Sequence, residues 1–499
     1  MQPLISDLMK RFIFLLALLG ASAAVIAADS PAMTVPNGYR VDTIKLPEGQ
    51  QIGVGGLAFL PNGDLLISTR EGQVWRYSEG EFSLFADGLH EALGLYVDPE
   101  TSDVWVMQRP ELTKLVDRDR DGRVDVYETV NASWGLNDDY HEYAFGPIRD
   151  AEGNFYGTLN TSLSFKGWSG SHRWDVGRVH GGNMGRARRY GGWCFQITPE
   201  GRFVPFAFGM RSPSGLGMNK HGEIFYTDNQ GDWNGSSTLQ HVVKDRFHGH
   251  PSSLMDHPEF QGRDLNEIPI AEYERRRHPP AVYFIHNDLA NAPGEPRFNE
   301  TGGKFGPWFE DQVFVGDQSK SVMMRVFLEK VQGEYQGVVF PFIGPMQTGI
   351  IRNVFDDDGA LWVGQTGRGW RSVGPAIFGL QRITWDGRTT PMEMQSISVL
   401  ADGFRINFTK PVDRKAATDL ANYKLRSWHY LYRPQYGSPK ADNQVMEVSE
   451  VTLAENGMWV DLKTRMMTGK VYQFELAVGG ADGTALSNKI GWYTLNWLP

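Results

Sequence analysis

A short unit recurs six times along this 499-residue chain: a glycine or phenylalanine, a brief apolar strand, a turn carrying Gly or Asp-Gly, then a second strand rich in Leu, Phe, Trp, Tyr and Val. Gly56-Leu57-Ala58-Phe59 is followed by Leu65-Leu66-Ile67, and Leu93 to Val97 by Val104-Trp105-Val106. Tyr143-Ala144-Phe145 leads to Phe155-Tyr156, and Ser214 to Gly217 leads to Ile224-Phe225-Tyr226. Phe309 to Val315 with Met323 to Val326, and Arg352 to Phe355 with Leu361-Trp362-Val363, complete the set. A hairpin cannot bury both of its faces alone, so a chain of them must pack radially or stack. Long apolar patterns of helical period are nearly absent, which makes the class all-β. The radial solution is a six-bladed β-propeller, with seven blades as the competing count. Uneven inserts, Ser162 to Gly192 and Asp232 to Phe298, are expected on the face that binds ligands.

After Thr384 to Pro391 the pattern changes to alternating strands near Ile397–Leu400, Gly403–Thr409, Val448–Leu453, Met458–Leu462 and Val471–Val478. Propeller and sandwich are therefore placed at 36–391 and 392–499, the second as a separate immunoglobulin-like β-sandwich. Within it, Trp428 to Tyr436 is rich enough in rings to bind carbohydrate, or to serve as core or as a docking surface.

The N-terminus sets the compartment. Lys10 and Arg11 precede an apolar run from Phe12 to Ile26, and Ala27-Ala28 offers a cleavage site, so residues 1–28 read as a secretory signal peptide and the product as periplasmic or secreted. No later segment is apolar enough to span a membrane. Cys194 is the only cysteine, so no internal disulfide and no covalent c-type haem can form, and its apolar neighbours make it a buried structural thiol. A formal charge of -10 with no basic run argues against nucleic acid as a partner and suits small neutral substrates.

One stretch has the side chains of a calcium loop. Asp117, Asp119 and Asp121 precede Gly122, Arg123 would offer its carbonyl, Asp125 would act directly or through water, and Glu128 stands at the twelfth position. The competing reading is a solvated acidic turn neutralised by its arginines. The flanking runs are short and β-branched, so the loop is expected to join strands rather than helices. Lying shortly before His141, it is also expected to steady that residue, so that chelation would loosen activity as well as stability.

His141, just ahead of the third unit in Asp138-Asp139-Tyr140-His141-Glu142-Tyr143, is placed to face a central channel as general base, or to be a channel histidine satisfied by its acidic neighbours. Arg211-Ser212-Pro213-Ser214-Gly215-Leu216, followed by Asp228-Asn229-Gln230-Gly231-Asp232, suits a polar or anionic ligand, although turn chemistry also explains the small polar residues. His248 and His250 have a zinc-compatible spacing without a third ligand nearby.

The Arg211 to Leu216 motif resembles the Arg-Asn-Pro-x-Gly-Leu of the soluble quinoprotein glucose/sorbosone dehydrogenases, six-bladed propellers that bind pyrroloquinoline quinone (PQQ) and calcium. Asp228 to Trp233, Thr301 to Gly306 and Val315 to Gln318 are similar to the propeller region of bacterial membrane-bound dehydrogenases that often carry a haem domain, of which this chain shows none. The resemblance implies that His141 takes the proton of a sugar hydroxyl, that Arg211 contacts the quinone, and that Asp228, Gln230, Gly231, Asp232 and His248 line the cofactor site. A periplasmic electron acceptor would be the partner. The sequence departs from the family where Gly231-Asp232 replaces a Gly-Pro pair that holds calcium, and no lysine for the quinone can be placed. Two other functions fit the residues: a cofactor-free, metal-dependent hydrolase or lyase acting on a sugar lactone or glycoside, and a carbohydrate- or protein-binding propeller without catalysis.

Overall fold

The computed structural model describes residues 33–136, 139, 141–163, 177–367 and 372–499, so the segment read as a signal peptide, Asp138, Tyr140 and part of the first insert lie outside the described residues. The chain is all-β. Strands run antiparallel through successive four-strand units: Val54–Phe59 to Glu81–Ala86, Leu95–Val97 to Val126–Asn131, Ala144–Arg149 to Phe203–Phe208, and Pro213–Met218 to Val282–Phe284. The fifth comprises Pro293–Phe298, Val313–Asp317, Met323–Val331 and Glu334–Ile343. The sixth, Ile350–Phe355, Leu361–Thr366 and Phe378–Trp385, takes its outer strand, Tyr39–Thr43, from near the N-terminus. The first strand of each unit packs on that of the next, and the sixth returns to the first. The beginning and end of the ring are thus stitched within one sheet, Tyr39 opposite Trp385 and Thr43 opposite Gln381.

Close approach of these inner strands explains the glycine in the repeat. A Cβ on Gly94 would lie 1.6 Å from the Gly146 carbonyl oxygen, so no side chain fits there. Arg352, fully buried on the sixth inner strand, occupies the middle. Its Nε donates to Gly55 O at 2.7 Å, Nη1 to Ser214 O at 2.7 Å and Nη2 to Leu93 O at 3.1 Å, while Glu295 lies 3.5 Å away and the Phe145 ring 5.0 Å. One guanidinium therefore touches the inner strands of the other five units. Burial pushes its pKa down to about 10, Glu295 opposing, which leaves it charged at neutral pH.

Two expectations need correction. The fifth unit does not begin at Phe309: Val313–Asp317 is its second strand, and Pro293–Phe298, inside the supposed insert, is its first. Pro293 and Pro296 hide that strand from pattern reading, and they are tolerated because the ladder shifts register between them. Nor is the C-terminal region hydrogen-bonded apart from the rest. Met394–Leu400, Gly403–Phe408, Trp459–Thr464 and Val448–Leu453 form one sheet, but Tyr423–His429, Ala441–Met446, Lys470–Leu476 and Ile490–Leu495 extend the fifth unit into an eight-stranded sheet, with Gly337 opposite Thr494. A shared core of Phe404, Ile406, Phe474 and Leu495 includes Val338 and Phe340 of the fifth unit. Among the described residues no helix is long and apolar enough to cross a membrane.

Candidate functional site

Two adjoining cavities, of about 60 and 250 Å³, share His141, Ser212 and Asn229 in their walls. His141 sits in the turn before Ala144–Arg149, where its backbone N–H donates to Asp139 Oδ1 at 2.8 Å. Its Nδ1 lies 3.2 Å from the Thr161 carbonyl. A carbonyl only accepts, so Nδ1 carries the proton, and Nε2, 3.4 Å from Ser212 Oγ, is the basic nitrogen. Burial, then the neighbouring Arg211 charge, pushes the imidazole pKa down to about 3, so the ring is neutral at physiological pH. The turn is braced from behind: Arg109 donates from Nε to Glu142 O at 3.3 Å and also to Asp139 O, and Arg188 Nη2 donates to Tyr143 O at 2.6 Å.

Around Ser212 Oγ, amide groups join the imidazole. Asn160 Nδ2 is 3.4 Å from this hydroxyl and Asn229 Nδ2 3.5 Å. The Oδ1 atoms of both asparagines are buried with no hydrogen-bond partner among the described residues. A basic nitrogen, a hydroxyl and two side-chain amides in one cavity wall form a polar cluster suited to hydrogen-bonding ligand hydroxyls. Also lining the smaller cavity, Arg70 pairs with Glu91 at 2.9 Å and donates to Tyr143 Oη at 2.5 Å.

Arg211 lies buried between two acids. Its Nε donates to Asp232 Oδ1 at 2.8 Å, and Asp232 Oδ2 accepts from Met184 N at 2.9 Å and lies 3.2 Å from His250 Nε2. Although burial alone would raise it, the Arg211 charge and hydrogen bonds from Arg211 and His250 hold the Asp232 carboxyl well below its usual range. Asp228 accepts from the backbone N–H groups of Arg211 and Ser212, at 2.9 and 2.8 Å, while burial pushes its pKa up to about 6. These acids position Arg211 and do not face the cavity. Gly231 is needed beneath it, because a Cβ there would fall 1.9 Å from the guanidinium carbon. Gly231→Ala should displace Arg211 at a cost of about 1–3 kcal/mol, read by denaturant titration.

The sequence had placed Gln230 at the site, and it lines the larger cavity. His248 does not. It is buried against Tyr226 and His278, with ring centroids 5.6 and 5.7 Å away. Tyr436, in the aromatic stretch left open between carbohydrate and core, does line the cavity, 5.4 Å from the Arg211 guanidinium carbon and half exposed. Its loop is stitched on by Gly437 N to Gly231 O at 2.9 Å and Trp233 N to Arg433 O at 2.8 Å. Asn183, Asn291 and His286, also in this wall, carried no motif that sequence reading could use.

The residues suit an acidic, planar, oxygen-rich group such as PQQ in hydrogen-bonding character: Arg211 supplies charge, and Asn183, Asn229, Gln230 and Asn291 supply amides. They do not offer a carboxylate for calcium beside it, since Asp228 and Asp232 are both spent on protein partners. The acidic loop is elsewhere, joining Leu112–Val116 to Val126–Asn131, the two outer strands of the second unit. Asp117, Asp119 and Asp125 bring one carboxylate oxygen each within 4.8 Å of the others, and Gly122 N donates to Asp117 at 2.9 Å. Asp121 instead accepts from Arg123 N at 2.8 Å, and Glu128 is drawn into the strand opposite Lys114, so the expected twelve-residue shell is only half assembled. The loop thus joins outer strands of its unit, whereas His141 precedes the inner strand of the next. Calcium at 100 times its Kd should stabilise the fold by about 2.7 kcal/mol, Asp119→Asn should abolish the shift, and turnover should be unchanged.

A family model described as "Domain of unknown function (DUF7133)" matches residues 79–339. No curated protein matches the sequence. Among solved structures the chain is similar to the PQQ-bound aldose sugar dehydrogenase of Streptomyces coelicolor, with 16% identity, 70% of this chain and 99% of that one covered, and a TM-score of 0.48. It is also similar to the PQQ domain of pyranose dehydrogenase from Coprinopsis cinerea, with 13% identity, 70% and 97% covered, and a TM-score of 0.49.

Proposed function

This chain belongs to the DUF7133 family, and from its site we propose that it is an exported, quinoprotein-like oxidoreductase that oxidises a hydroxyl of a sugar or polyol. In this reading the six strand units are the blades of a propeller, residues 392–499 an immunoglobulin-like sandwich that lends Tyr436 to the site, and the Asp117 loop a structural calcium site. The observation that carries it is the neutral His141, whose Nε2 stands with the Asn160 and Asn229 amide nitrogens around Ser212 Oγ in the cavity wall.

A polyol hydrogen-bonds to this polar cluster and is held by it. The hydroxyl seated at His141 gives its proton to Nε2, while Thr161 O keeps Nδ1–H and with it the ring orientation. Arg211, fixed by Asp232, and the amides of Gln230 and Asn291 would hold the acidic cofactor against this point. PQQ, when bound, supplies a two-electron acceptor for the hydride leaving the carbon that bears the hydroxyl.

The test is dye reduction by the purified chain, reconstituted with PQQ and calcium, across a panel of aldoses and polyols, with lactone hydrolysis assayed in parallel. Saturable dye reduction is expected. Lactone hydrolysis without dye reduction would replace this reading with the hydrolase, and sugar binding without either activity would replace it with the binding protein.

A further inference from the structure

We propose that His241, His278 and Glu334 form a zinc-class metal site that ties the fourth strand unit to the fifth. The three come from different parts of the chain. His241 lies on the strand Ser237–Val242, His278 follows the short helix Ile270–Arg276, and Glu334 opens the strand Glu334–Ile343 directly after the tight turn at Gln332 and Gly333. One donor atom of each lies within 4.8 Å of the other two, and His278 Nε2 is 3.7 Å from Glu334 Oε2. A tetrahedral zinc with bonds of about 2.0–2.2 Å needs its donors about 3.4 Å apart. Rotation of the half-exposed Glu334 side chain covers the difference.

The imidazoles are held ready. The His241 ring is wedged between Phe225 and Tyr335, each with its ring centroid 5.0 Å away, and its Nδ1 is buried with no hydrogen-bond partner among the described residues. An unsatisfied buried nitrogen is costly unless something ligates it. The backbone N–H of His278 donates to Phe247 O at 2.7 Å. Two imidazoles and one carboxylate select zinc or its neighbours over calcium, for which the all-oxygen Asp117 loop is suited, and three protein donors leave the fourth position to water. Through Phe247, the site would also steady the segment that carries His250 to Asp232. Zinc therefore belongs to this set and not to the His248/His250 pair, whose spacing alone suggested it.

The experiment uses the untagged full-length chain, stripped by chelation and then kept in saturating calcium so that the acidic loop is filled. Zinc is titrated by calorimetry and cobalt(II) by visible absorption. One equivalent of zinc, cobalt bands of tetrahedral intensity, and a zinc-dependent rise in Tm are expected. Glu334→Gln and His241→Ala should each weaken zinc binding by about 100-fold or more. Because His241→Ala opens a packed site and can fail to fold, Glu334→Gln, at a half-exposed position, decides the matter. No zinc uptake by the wild-type chain, or unchanged affinity in Glu334→Gln, would overturn the proposal.

Discussion

His141→Gln is expected to lower kcat for sugar oxidation by about 10²–10⁴-fold, the ordinary worth of a positioned general base, with a much smaller change in KM. Glutamine retains polarity and approximate size, so the Thr161 carbonyl and Ser212 hydroxyl keep a neighbour and the fold should survive; what disappears is the basic Nε2. The pH dependence gives a second readout. A base works in its deprotonated form, so activity is lost as pH falls through its pKa. Burial and Arg211 set that pKa at about 3, and the His141 limb of the wild-type profile should therefore lie far below the usual histidine range. A limb near the ordinary histidine value that vanished in His141→Gln would show that His141 works in a solvated rather than a buried state. Steady-state kinetics from acid to neutral pH, on both proteins, measure this.

Arg352→Met should destabilise the fold by about 3–5 kcal/mol, because it removes a buried hydrogen-bond donor to three inner carbonyls and leaves Glu295 to Arg297 alone, 2.6 Å away. The carbonyls of Gly55, Leu93 and Ser214 lose their donor in the same substitution. Lysine should not rescue it, since a single ammonium cannot reach carbonyls on three different strands at once. Equilibrium denaturation reads the loss. A change below about 1 kcal/mol would mean that the inner strands hold together without the central cation.

What the sequence made legible follows from what is local. Hairpins announce themselves by turn residues and two-residue alternation, which is why all six hairpins pair as read, the fifth being the second and third strands of its unit rather than the first two. The fifth was misread because two prolines break its first strand's pattern, and the partner that makes those prolines tolerable is distant in the chain. The N-terminal strand that completes the sixth unit, and the C-terminal strands that lengthen the fifth, were invisible for the same reason: a strand's sequence does not name its neighbour. In the site, His141 and Arg211 stood out because each sits in a short motif at the head of an inner strand. Asn160, one residue past the strand Phe155–Leu159, and Tyr436, delivered from the far end of the chain, gain meaning only when the sheets are assembled. The Asp117 loop taught the converse lesson. Its spacing matched a twelve-residue calcium loop, and three of its aspartates do converge, yet the ladder also sets Glu128 opposite Lys114, a pairing that spacing alone does not reveal.

The central claim, that the cavity around His141 and Arg211 binds a quinone and oxidises a polyol, is tested most directly by mixing the PQQ-reconstituted chain with an aldose in the absence of oxygen and of any dye, and following the quinone's absorbance. The account predicts that PQQ binds with its spectrum shifted, that it is reduced in a single turnover by the sugar, and that His141→Gln binds it equally well but reduces it at least about 100-fold more slowly. Failure of the wild-type chain to bind PQQ, or bound PQQ that stays oxidised in the presence of every aldose and polyol, would contradict it.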